Sequence, residues 1–140
     1  MAPRNTNTGA VLENMILPAL ARGKYTATKQ VHVGIRLGGK GKHKVDAVAQ
    51  KESEKVLISL KWQQSSGTTE QKVAYEVMCL AEVLEEKPEY TKAYVVLGGD
   101  GWKLRDFYVS GGMGKYMQGV DEVHIVTLER FIAMANNGSL

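Results

Sequence analysis

The chain has 140 residues, 18 Lys and Arg against 15 Asp and Glu for a formal charge of +3, and a single cysteine, Cys79. This length suits one domain with its own apolar core, residues 1–140, while one cysteine excludes an intrachain disulfide framework and points to a reducing compartment. No apolar run approaches the roughly 18 residues of a membrane helix, and the first eight residues are polar with no secretory apolar region, so a cytoplasmic protein is expected.

In chain order, residues 1–7 read as a flexible arm. Thr8 is placed to cap a helix from about Gly9, with Leu12, Met15, Ile16, Ala19 and Leu20 on its apolar face. Pro18 falls inside that pattern and should kink it. Glu13 borders the face, either as a first-turn carboxylate favoured by the helix dipole or as a site carboxylate. After Gly23, residues 25–37 alternate Val31, Val33, Ile35 and Leu37 with His32, Gly34 and Arg36, the mark of a first strand.

Residues 38–43 form a glycine-rich basic turn whose spacing matches no nucleotide-binding fingerprint. Lys40, Lys42, His43 and Lys44 gather just before Asp46, a placement that suits a polyanion, although a solvated loop explains the charges on composition alone. His43 reads as a phosphate contact or plain surface group rather than a metal ligand.

Residues 45–48 and 56–63 are short, β-branched and apolar, separated by a polar turn, and read as a hairpin. Alternation places Val56, Ile58, Leu60 and Trp62 on one face and Leu57, Ser59, Lys61 and Gln63 on the other. Polar groups on a buried strand need partners, and Asp46 on the neighbouring strand is the candidate. An aspartate beside Lys61 and Gln63 suits metal-assisted phosphodiester hydrolysis. It supplies a hard oxygen ligand for a divalent cation and an ammonium near the water or the phosphate.

Ser65, Ser66, Thr68 and Thr69 then lead into a helix that runs to about Glu86 and buries Val73, Val77, Leu80, Ala81 and Leu84. Thr68 or Thr69 is expected to cap it, and the same hydroxyls and N–H groups form a potential anion site. Pro88 stops the helix. Residues 94–97 are a strand, 98–101 a turn, 102–108 helical or extended, 110–114 a flexible linker, 123–126 a last strand, and Thr127 caps a final helix over 128–135. The order α, β, β, β, α, β, β, α predicts an α/β fold with a mixed sheet and helices on its faces.

In that order of elements, Glu13, Asp46, Ser59-Leu60-Lys61 and Gln63 give the chain a resemblance to the PD-(D/E)XK nuclease superfamily. The likeness covers residues 8–98 and the topology of the rest. It implies a restriction-endonuclease-like mixed β-sheet with an αβββαβ core. In size and in its early glutamate the chain is similar to small Holliday-junction resolvases and to phage or intron-encoded endonucleases. The resemblance further implies a Mg²⁺-dependent DNA endonuclease, with Mn²⁺ able to substitute, in a bacterial or phage-infected cytoplasm. Its catalytic positions would be Glu13, Asp46, Ser59, Lys61 and Gln63. Lys40, Lys42, His43, Lys44, Ser65, Ser66 and Thr68 would contact DNA, and cleavage of both strands implies a homodimer or higher assembly.

Two residues depart from the family pattern. Val45 stands for the motif proline, and Ser59 stands where the family has Asp or Glu. A hydroxyl is a neutral, weak ligand, so the site would lack one charge. Three explanations stay open: a carboxylate supplied by the following helix, Glu76 before Glu70, which would make the metal set Asp46, Glu13 and Glu76; an engineered inactivating change; or a non-catalytic relative that binds DNA. Gln71 and Tyr75 also match the Gln-x-x-x-Tyr of the exonuclease branch.

Overall fold

A computed structural model describes residues 7–39 and 41–140, so most of the expected arm and Lys40 lie outside the described residues. The chain opens with α1 (Asn7–Val11), a π-helical turn (Leu12–Ile16) and α2 (Leu17–Arg22). Pro18 accounts for the middle piece. It has no N–H for the ordinary ladder, and immediately before it the Leu17 N–H bonds to the Leu12 carbonyl, one residue further back than in an α-helix. The wider turn rotates the apolar stripe, so Leu12, Ile16, Ala19 and Leu20 are buried while Met15, expected among them, is exposed.

Five strands follow: β1 (Thr26–Ile35), β2 (Lys42–Lys51), β3 (Glu54–Trp62), β4 (Lys92–Gly98) and β5 (Val123–Thr127), in the sheet order β1-β2-β3-β4-β5. The first three are antiparallel and the last three parallel. Helix α3 (Lys72–Glu86) carries the chain from β3 to β4, α4 (Arg105–Val109) and a short 3₁₀ turn (Gly112–Lys115) from β4 to β5, and α5 (Leu128–Asn136) closes it. Thr127 Oγ1 accepts from the Arg130 N–H at 3.2 Å, the expected cap of α5. Gly23 ends α2 where a Cβ would fall 1.8 Å from the Ala135 carbonyl oxygen, so only a bare backbone lets the ends of α2 and α5 meet.

Both faces of the sheet are covered. Ile16, Leu20, Ala47, Val56, Ile58, Leu60 and Phe131 fill one side, beneath the N-terminal helices and α5. Leu57, Val73, Val77, Leu80, Val95, Leu97 and Tyr108 fill the other, beneath α3 and α4. The alternation read from β3 is therefore correct, with apolar cores on both sides. This is the mixed sheet flanked by helices that the element order predicts. No helix among the described residues is long and apolar enough to cross a membrane.

Two local expectations change. Residues 110–114 are no flexible linker, since Gly112 and Met113 are buried in the 3₁₀ turn. Neither Thr68 nor Thr69 caps α3. A 3₁₀ turn (Thr68–Gln71) precedes that helix, and Gln63 Oε1 accepts from the Glu70 N–H at 3.1 Å in their place. A side chain from the neighbouring strand does what a local hydroxyl was expected to do.

Candidate active site

The site is built at a break in the ladder. Pairing between β2 and β3 runs from Lys51 with Glu54 to Ala47 with Ile58 and then ends. Beyond it Asp46 Oδ2 accepts from the Leu60 backbone N–H at 2.6 Å, so a carboxylate takes the place of a main-chain partner. On the other side, the pairs Lys29 with Ala47 and Val31 with Val45 flank Gln30 and Asp46, and Gln30 has φ 52°. Ala47 packs in one core and Val45 in the other, so alternation fails at Asp46. The irregularity delivers its carboxylate to the fork where β2 and β3 part.

From the opposite side α3 brings Glu76, which is only 3% exposed. Its Oε2 lies 3.0 Å from His43 Nε2, and its Oε1 lies 3.4 Å from Arg36 Nη1 and 3.7 Å from Lys61 Nζ. The Ser59 hydroxyl donates to the same carboxylate. Burial pushes the Glu76 pKa up, but the His43 hydrogen bond, the charges of Lys61 and His43, and the Ser59 hydroxyl outweigh it and hold it down at about 2. Asp46 behaves oppositely. Burial, aided by repulsion from Glu76, raises its pKa against the pull of the Leu60 N–H, Lys61 and Lys44. One carboxylate is fully compensated and the other is short of positive charge.

That asymmetry suits a hard divalent cation. Mg²⁺ is commonly held by one or two carboxylates, with water and substrate phosphate completing its shell. Asp46 offers an under-compensated carboxylate, and Glu76 a second within electrostatic reach. Among the described residues no three Asp, Glu, His or Cys side chains group closely enough to enclose a metal by themselves. The donor set therefore fits an open site rather than a closed structural one.

Asp46, Ser59, Lys61 and Glu76 thus meet, with His43 buried against Glu76, while Glu13 and Gln63 stand elsewhere. Glu13 is exposed on the π-helical turn, where Lys29 Nζ engages it at 2.5 Å, because the rotated stripe buries Leu12 and Ile16 and turns Glu13 outward. Gln63, expected to be catalytic, is buried and structural: its Nε2 donates to Glu70 Oε1 at 3.3 Å and to the Gly101 carbonyl at 2.8 Å. Glu70 serves the same joint, accepting from the N–H groups of Lys103 and Leu104. Burial works to raise the Glu70 pKa, but those donors lower it overall.

His43 is corrected most. Expected at the surface against DNA, it is fully buried beside Glu76, because β2 begins at Lys42 and turns His43 inward. Lys42 and Lys44 on either side of it remain exposed, as do Ser65, Ser66 and Thr68. Tyr75 donates to the Leu37 carbonyl at 2.8 Å and so ties α3 to the turn after β1. Sequence reasoning missed Arg36 and the inward role of His43. The strand boundary at Lys42 was the signal, and the glycine-rich run around it concealed that boundary.

Residues 4–139 match the family model described as a PD-(D/E)XK nuclease superfamily domain. A crystal structure titled "Protein of Unknown Function AF1548" is similar in fold, with a TM-score of 0.51 and 12% identity over 80% of this chain and 54% of that one. This chain therefore spans about half the length of that protein. No curated protein is matched.

Proposed function

The chain belongs to the PD-(D/E)XK nuclease superfamily, and from that premise we propose that it is a metal-dependent DNA endonuclease whose second site carboxylate comes from α3. The observation that supports this reading is the position of Glu76. A buried carboxylate lies against the Ser59 hydroxyl and 3.7 Å from Lys61 Nζ, where the family's own acidic residue would stand on β3. The charge missing at position 59 is restored from the next helix.

In this proposal Asp46 and Glu76 hold Mg²⁺, or Mn²⁺ in its place; when bound, the cation supplies a Lewis acid for the scissile phosphate and acidifies the attacking water. The Leu60 N–H fixes the Asp46 carboxylate, leaving its other oxygen for the site. Lys61, tethered by Glu76, offsets charge developing on the phosphate. Ser59, His43 and Arg36 hold the Glu76 carboxylate in place and touch no substrate. Lys42 and Lys44 contact the DNA backbone, which positions the duplex without reading it. Two copies act together when both strands are cut.

The test incubates supercoiled plasmid and branched DNA with Mg²⁺ or Mn²⁺ and the unaltered chain, Asp46→Asn, Lys61→Ala, Glu76→Gln, and the double variant Ser59→Glu with Glu76→Gln. The unaltered chain should cleave, the three single variants should not, and the double variant should recover activity. If the unaltered chain and the double variant are as inert as Lys61→Ala in every metal, the nuclease reading fails. The complete ion pairing of Glu76 favours the second reading, a non-catalytic DNA-binding protein of the same fold. It is recognised by salt-sensitive binding that needs no metal.

A further inference from the structure

We propose that the exposed ring of Tyr116, backed by the half-buried Phe107, is a stacking platform for unpaired nucleotides, so that the DNA this chain engages carries a single-stranded segment. The inference rests on the nuclease reading for its placement, and its own evidence is a different part of the molecule.

Tyr116 is 79% exposed, the most exposed large apolar side chain among the described residues. Its ring lies against Phe107 with centroids 6.3 Å apart and planes 30° from parallel. Phe107 in turn meets the buried Tyr108 edge-on at 5.9 Å. Tyr108 is pinned from within, its Oη donating to the Glu70 carbonyl at 3.1 Å. Gly112 lies directly beneath Phe107, where a Cβ would fall 2.4 Å from the ring, and the Tyr116 N–H bonds to the Met113 carbonyl at 3.0 Å. Three rings thus run from the core to solvent on a fixed turn. The outermost keeps one face in water, where it adds little to folding.

The surroundings select the ligand. Between residues 102 and 119 the charged side chains are Lys103, Arg105 and Lys115 against the single acid Asp106, all exposed. Ion pairs among the described residues engage none of those three cations. An exposed ring on a segment that also carries Arg105 and Lys115, neither of them in an ion pair among the described residues, matches a nucleotide, with a base face for the ring and a phosphate for the ammonium or guanidinium. Bases inside a duplex hide their faces in the stack, so only unpaired ones qualify. The segment that carries Phe107 is also tied to the element that carries Glu76. Glu70 accepts from Lys103 and Leu104 at the start of the segment that carries Glu76 six residues on, roughly 9 Å along a helix axis.

Fluorescence anisotropy in EDTA tests this, with a labelled oligothymidine, a blunt duplex of equal length, and the unaltered chain, Tyr116→Ala, Tyr116→Leu and Tyr116→Phe. Affinity for the single strand should fall roughly tenfold in the Ala and Leu variants and be kept in Phe, with duplex binding unchanged in all. The proposal is overturned if the unaltered chain does not bind the oligothymidine, if Tyr116→Ala binds it normally, or if both DNAs weaken equally. It is overturned too if sedimentation shows Tyr116→Ala altering self-association while single-strand binding stays normal, since the ring pair would then serve a second copy. No metal or cleavage enters the measurement. A chain inert as a nuclease can still pass it, and an active nuclease can still fail it.

Discussion

Replacing Glu76 by Gln removes the charge that Lys61, His43 and Arg36 share while keeping the side chain's shape and one acceptor oxygen. In the folded protein the Glu76 pKa is depressed from 4.5 to about 2. A depressed carboxylate binds its proton less tightly in the folded state, so its stabilising contribution is fully present above pH 4.5 and disappears as pH falls toward 2. At about 1.4 kcal/mol per pKa unit, the shift corresponds to roughly 3 kcal/mol at neutral pH, which is also the scale for breaking a buried ion pair from one side. Linkage puts the remaining contribution at roughly half of that by about pH 3. Urea denaturation of both proteins in EDTA at pH 7, 4 and 3 measures the difference without metal. The expected result is a gap of about 3 kcal/mol that narrows steadily with acid. Equal stability at pH 7, or a gap that does not change with pH, would refute the assignment of Glu76 as the charge holding this cluster together.

Asp46 carries the opposite sign. Its folded pKa is raised above 3.8, so its ionisation costs stability as pH rises through that window. Asp46→Asn, which can still accept from the Leu60 N–H, should melt at or above the unaltered protein in EDTA and should lose the rise in melting temperature that Mn²⁺ gives the unaltered chain; a lower melting temperature in EDTA would contradict this. Gln63→Ala strips buried partners from the Gly101 carbonyl and the Glu70 N–H and should cost about 2 to 3 kcal/mol in urea denaturation, with cleavage at low temperature largely kept. Glu13→Gln breaks an exposed pair with Lys29 and should change stability by under about 1 kcal/mol. Its cleavage rate should stay within a few-fold of the unaltered chain, and a loss as deep as that of Asp46→Asn would place Glu13 back in the site.

The strands, the central hairpin and most of the helices were legible because their signals are local. β-branched runs, the two-sided pattern of β3, Pro18 and Thr127 each act on the backbone within a few residues. The candidate site was legible where it depends on that pattern, since alternation in β3 fixes Ser59 and Lys61 on one face. It was illegible where it depends on partners. Gln63 has the spacing of a catalytic glutamine, yet it spends both ends of its amide on Glu70 and Gly101, residues 7 and 38 positions away. His43 has the company of a surface cluster, yet it is fully buried against a helix 33 residues further on.

What the amino-acid sequence determined by itself was the run of strands with the helices before, between and after them, and the placing of Asp46 beside the β3 motif, which follow from periodicity and short spacings; the family entered as a resemblance carried by Asp46, Ser59-Leu60-Lys61 and Gln63. What only the tertiary structure decided was which carboxylate stands beside Ser59, which way His43 and Glu13 turn, and how three aromatic rings line up from core to surface. Charge compensation and ring stacking are set by distances across the fold, and residues far apart along the chain acquire those distances only when the sheet and α3 close on one another.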